Sequence, residues 1–175
     1  MKQLLKISAL LMVMLLTSCA DQHSLQKYYV DNQDNADFIS IDIPASVITL
    51  KDNVSAEDQE ALKSLKKMNI LAFKKNDTNG AEFLSEENKV KSILKNDKYI
   101  ELMKFKDKGR NVVVKYEGDD NEIDEVVVFA SDKEKGFALV RVLGDNMQPA
   151  KIANLAKNIA DIDADGLKQF EGLLK

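Results

Sequence analysis

With a single cysteine in 175 residues, the chain can form no internal disulfide, and its stability has to come from packing. There is no tryptophan and only 6% of the residues are aromatic. A carbohydrate-stacking platform or a base-stacking surface therefore has little to be built from. The one histidine, His23, lies in a polar stretch near the start. That removes His-based zinc sites and Ser-His or Cys-His nucleophile pairs from the rest of the chain. No glycine-rich phosphate loop is present. Positive charge is also short: the net charge is −4, and loss of Lys2 and Lys6 with the segment described next leaves 23 basic residues against 29 acidic ones, or −6. An acidic domain is a poor non-specific binder of nucleic acid, so no nucleic-acid partner is expected. What remains is ordinary: 45% hydrophobic and 31% charged residues, enough for one globular domain with a real core.

The first sixteen residues have the parts of an export signal. Lys2 and Lys6 form a positive start, and Ile7 to Leu16 is an apolar run of ten residues. This run is too short to cross a bilayer, which takes ~20 apolar residues. It ends at Leu16-Thr17-Ser18-Cys19, which resembles the bacterial lipoprotein signal of a branched aliphatic, two small residues and cysteine. The resemblance implies cleavage after residue 18 and lipidation of Cys19, with acyl chains such as palmitate as the membrane anchor. The same resemblance implies, from Ala20 in place of Asp, the outer membrane facing the periplasm. Residues 19–36 then read as the lipidated cysteine and a flexible tether, polar and amide-rich without apolar periodicity. Tyr28-Tyr29-Val30 is the exception, a patch to pack on the domain or to meet a partner.

Residues 37–175 read as one α+β domain. Phe38 to Ile43 alternates, with Ile39, Ile41 and Ile43 on one face, and closes at Pro44. Ser55-Ala56-Glu57-Asp58 is a helix start, and the helix is expected to reach Lys67. Asn69 to Lys74 is a short strand. Ser85-Glu86-Glu87 opens a second helix carrying Val90, Ile93 and Leu94. Four strands follow, Tyr99 to Lys106, then one with Val112, Val114 and Tyr116 on a face, then Ile123 to Ala130, then Phe137 to Leu143. Connections this short force an antiparallel meander. A helix with Ile152, Leu155, Ala156 and Ile159 in one stripe comes next, then a last one with Leu167, Phe170 and Leu174. The expected architecture is an antiparallel sheet of about four meander strands plus one or two N-terminal strands, covered on one face by helices.

Four runs carry a second resemblance: Tyr99-Ile-Glu-Leu-Met-Lys-Phe-Lys-Asp, Asn111-Val-Val-Val-Lys-Tyr, Glu125-Val-Val-Val-Phe-Ala and Phe137-Ala-Leu-Val-Arg-Val-Leu-Gly. Over about residues 38–160 the chain resembles bacterial lipoproteins of the domain-of-unknown-function 4252 family. The likeness implies a cell-envelope protein and carries over no active-site residues.

One tract has the chemistry of a cation site. Asp161, Asp163 and Asp165, followed by Gly166, match the first half of an EF-hand calcium loop. Position 12 of that loop is Gly172 instead of glutamate, and the alternative is an acidic turn with Asp163 or Asp165 capping the last helix. The acids from Glu117 to Glu125 read as a solvated hairpin turn. Lys63, Lys66 and Lys67 read as a solvated face. The sequence thus leads to a lipid-anchored envelope protein that binds or scaffolds another envelope protein without catalysis. A calcium-responsive module and a carboxylate hydrolase are the alternatives.

Overall fold

The computed structural model describes residues 24–107, 109–119 and 122–162. In chain order the elements are α1 (Leu25–Asn32), β1 (Phe38–Pro44), a 3-10 turn (Ala45–Val47), β2 (Ile48–Leu50), α2 (Ala56–Ser64), β3 (Leu65–Lys74), α3 (Gly80–Ile93), β4 (Ile100–Asp107), β5 (Arg110–Asp119), β6 (Glu122–Asp132), β7 (Gly136–Met147), α4 (Pro149–Asn158) and β8 (Ile159–Ile162). Six strands form one sheet in the order β1-β3-β7-β6-β5-β4, with every neighbouring pair antiparallel. β2 and β8 form a separate antiparallel pair. The α+β class, the four-strand meander and the two N-terminal strands are as the sequence leads one to expect.

The strand registers align side chains in rows across the sheet, because residues directly opposite one another share a face. One face carries three apolar rows that each run through all six strands. They are Ile43-Met68-Val142-Val126-Tyr116-Ile100, Ile41-Ile70-Val140-Val128-Val114-Met103 and Ile39-Ala72-Ala138-Ala130-Val112-Phe105. The other face mixes apolar and polar rows, among them Asp42-Asn69-Arg141-Val127-Lys115-Glu101.

Each face has its own core, and this corrects the expectation of helices on one face only. Leu25, Tyr28 and Tyr29 of α1 and Phe83, Val90 and Ile93 of α3 bury the mixed face, around Phe38, Phe73, Phe129 and Phe137. Ala61 of α2 and Leu155 of α4 bury one end of the three-row face, near Ile43, Ile123 and Met147. A sheet that is apolar on both sides demands cover on both sides.

Four other expectations are also corrected. Residues 24–32, assigned to the tether, include α1: Ser24 caps it by accepting from Lys27 N, and Leu25, Tyr28 and Tyr29 are buried. The i, i+3, i+4 spacing of those three makes a narrow stripe that is sufficient once α3 and β1 lie opposite. α2 stops at Ser64, short of Lys67, because Leu65 onward pairs with β7. Gly144 permits this close passage, since a Cβ there would lie 2.3 Å from Ser64 O. α3 begins at Gly80 instead of Ser85. Asn79 anchors that start by donating to Asp37 Oδ1 and Lys74 O. Finally, Ile159 leaves the helical stripe and begins β8.

Candidate binding surface

Among the described residues β4 is the last strand of the sheet and is hydrogen-bonded on one side only, to β5. Its other edge offers a row of backbone N–H and C=O groups. The register slips between Glu101 and Met103, so that Leu102 is an extra residue in the ladder. That slip restores the phase of the apolar residues. Ile100 lies opposite Tyr116, Met103 opposite Val114 and Phe105 opposite Val112, all on the three-row face. Lys104 and Lys106 lie opposite Val113 and Asn111 on the mixed face.

Among the described residues no helix reaches this end of the three-row face. Ile100, Leu102, Met103 and Phe105 are 43%, 51%, 52% and 48% exposed, and Val112, Val114, Val128 and Ala130 behind them are half-buried. Four large apolar side chains are thus exposed on one eight-residue strand, which makes this end of the sheet the candidate surface. Next to it the small residues of the Ala138-Ala130-Val112 row leave a shallow cavity of about 80 Å³ that Arg110, Asp132 and Gly136 also line. Asp132 shapes this corner. Its carboxylate accepts from the backbone N–H of Glu134 and of Lys135 and pairs with Arg110, and these hold its pKa below the usual aspartate value.

The mixed face holds most of the buried charges, Asp58 of α2 lying over the other. Arg141 donates from Nε to Glu125 Oε1 at 2.7 Å and from Nη2 to Glu125 Oε2 at 3.1 Å, and both residues are buried. Gln26 of α1 accepts from Arg141 Nη1 at 2.9 Å. Tyr29 donates to Asp42 Oδ1 and shares a hydrogen bond with Ser40 Oγ. Burial first, and the neighbouring Asp42, push the Tyr29 phenol up to about 12. Tyr28 donates to Glu86 Oε2, and burial with that carboxylate raises its pKa far above the ordinary tyrosine value. Ser131 donates to Glu87, which also pairs with Lys91. None of these buried groups but Ser131 and Glu87 borders the cavities around Phe137 and Phe83. These contacts join strand to strand, helix to helix and helix to sheet, and the chemistry is that of a polar core paired within the fold.

The sequence-derived site residues fall elsewhere. Cys19, Asp163 and Asp165 lie outside the described residues. Asp161 stands in β8 opposite Thr49, and the helix expected to lead into a calcium loop ends at Asn158. Among the described residues no three His, Cys, Asp or Glu side chains are grouped to hold a metal ion, and no helix is long and apolar enough to cross a membrane. Of the acids read as a solvated turn, Glu125 is instead buried against Arg141, and Glu117 pairs with Lys98. The available signal was Arg141 itself, a lone charge inside the apolar run Phe137 to Leu143. The β4 patch was missed as a site because its residues read as ordinary strand core.

No curated protein and no solved structure matches this chain closely enough to count as a relative. A family does match: the domain of unknown function DUF4252 covers residues 28–155, from within α1 to α4. That span includes the whole six-stranded sheet and well over half the chain. The chain belongs to the DUF4252 family.

Proposed function

We propose that the protein is a lipid-anchored component of the bacterial cell envelope, held at the outer membrane facing the periplasm through Cys19, whose α+β body works by binding another envelope protein. The observation that carries the binding role is the β4 end of the three-row face, which no described element covers, with Ile100, Leu102, Met103 and Phe105 exposed together. The anchoring rests on the basic start, the ten-residue apolar run and Leu16-Thr17-Ser18-Cys19.

Two experiments test the two halves. Cys19→Ala is expected to abolish incorporation of labelled fatty acid, and persistent labelling defeats the anchor. A photo-crosslinking residue placed at Phe105 is expected to yield a discrete adduct in intact cells, while the same residue at Glu60 on α2 yields none. Equal labelling from both positions, or none from Phe105, defeats β4 as the binding surface.

A further inference from the structure

We infer that β4 takes its partner by strand addition, and that the partner supplies an extended segment alternating acidic with apolar residues. This rests on the reading of β4 as the binding surface and adds how it binds and what it selects.

The geometry carries it in three steps. First, the edge of β4 that no described residue pairs presents backbone groups along Ile100–Asp107, and an added strand satisfies them with a ladder. Burial of that edge in a bilayer would leave the same groups without partners, at a cost of several kcal/mol each. A lipid surface is thus the poorer occupant. Second, an added strand has two faces, and β4 sets different terms for each. Apolar side chains on one face would extend the rows that end at Met103 and Phe105 to a seventh strand. Side chains on the other face would stand beside Lys104 and Lys106 in the second half of the strand, with Glu101 on that face at its start. Both lysines are exposed, and neither ammonium has a carboxylate within ion-pair reach among the described residues. Acidic residues at alternate positions meet both demands at once.

Third, the same lysines reject a second copy. Two-fold antiparallel pairing centred on Lys104 sets Lys104 against itself, and centring on Lys106 does likewise with Lys106. Centring on Phe105 sets Lys104 against Lys106 twice, and centring on Met103 drives the pair into the extra residue at Leu102. Like charges opposite one another are destabilising.

The test uses the full chain in detergent and a short synthetic peptide alternating valine and glutamate. Titration calorimetry is expected to show saturable binding that weakens as salt is raised. Lys104→Glu combined with Lys106→Glu is expected to weaken it about tenfold or more. These positions are exposed, so an unchanged circular dichroism spectrum separates lost binding from lost fold. Methylation of alternate peptide amides is expected to abolish binding. A peptide alternating valine and lysine is expected not to bind. Equal affinity for the methylated peptide overturns strand addition, and equal affinity for the lysine peptide overturns the acidic preference. Sedimentation of the chain alone as a dimer that the double variant dissolves makes a second copy the occupant and overturns the inference. Binding to anionic phosphatidylglycerol vesicles in place of the peptide does the same. Each of these failures leaves a Phe105 crosslink standing, whereas loss of the crosslink removes the surface itself.

Discussion

Arg141 and Glu125 are buried as a bidentate pair in the middle of the sheet, with Gln26 taking up a third donor. Removal of one partner strands the other charge. Arg141→Met is therefore expected to cost about 3–5 kcal/mol in urea unfolding, and Glu125→Leu added to it should restore much of that loss. A different constraint acts at Gly136, where φ is +123° and a Cβ would lie 2.0 Å from Phe73 O. Gly136→Ala is expected to lose at least about 2 kcal/mol by the same measurement, with a backbone shift at the β6–β7 turn. Two titrations bracket the pH range. Asp132 is held below its ordinary value, so its contribution is complete above about pH 4 and is lost as pH falls through the lowered pKa. Tyr29 is held above its ordinary value, so its contribution is complete below about pH 10 and is lost as pH rises through about 12. The urea midpoint of the unaltered chain should fall at both extremes. Asp132→Asn should flatten the acid limb and Tyr29→Phe should reduce the alkaline one.

Among the elements, α1 is the one whose removal tests most. It contributes Leu25, Tyr28 and Tyr29 to the core and a polar cap over Arg141. Leu25→Ala is expected to cost about 2–5 kcal/mol, and a chain starting at Asp37 to melt well below the longer one or fail to fold. The element also shows why parts of the fold escape a reading of sequence. β1 and β5 were legible because alternation carries its own phase, and the meander was legible because the turns are too short for a crossover. α1 was hidden because three apolar residues among amides do not look like a stripe until a surface stands opposite. The start of α3 was hidden by Glu86 and Glu87, which are buried through Tyr28 and Ser131 and so interrupt the apolar pattern. β8 was hidden because Ile159 continues the spacing of α4, and only its pairing with Leu50 shows otherwise. The β4 surface needs topology as well as pattern: a run such as Ile100 to Phe105 is core in the middle of a sheet and a patch at its end. Nothing in the run itself states which.

For the whole molecule, the described residues form a sheet buried on both faces at the β1-β3-β7 side and most exposed at its β4 edge. Mechanical and chemical stability should follow that gradient. Hydrogen exchange is expected to be slowest for β3 and β7 and fastest for the outer edge of β4, with an acidic alternating peptide slowing β4 alone. Calcium offers a further check on the 161–166 tract. A melting temperature that rises in millimolar calcium relative to EDTA would support the loop, and an unchanged one would leave the acidic turn.

The docking of α1 also sets the length of the leash. A tether running to residue 36 would let the body wander some tens of ångströms from its lipid. With Leu25 locked into the core, only residues 20–24 separate Cys19 from the folded body. Fully extended, they reach about 17 Å. In the proposed anchored form the domain is thus moored flush with the bilayer, within its own diameter of the headgroups. On that proposal a partner that lives at the membrane surface is within reach. A segment reaching β4 from the far side of the periplasm would have to cross that space itself, since this protein cannot swing out to meet it.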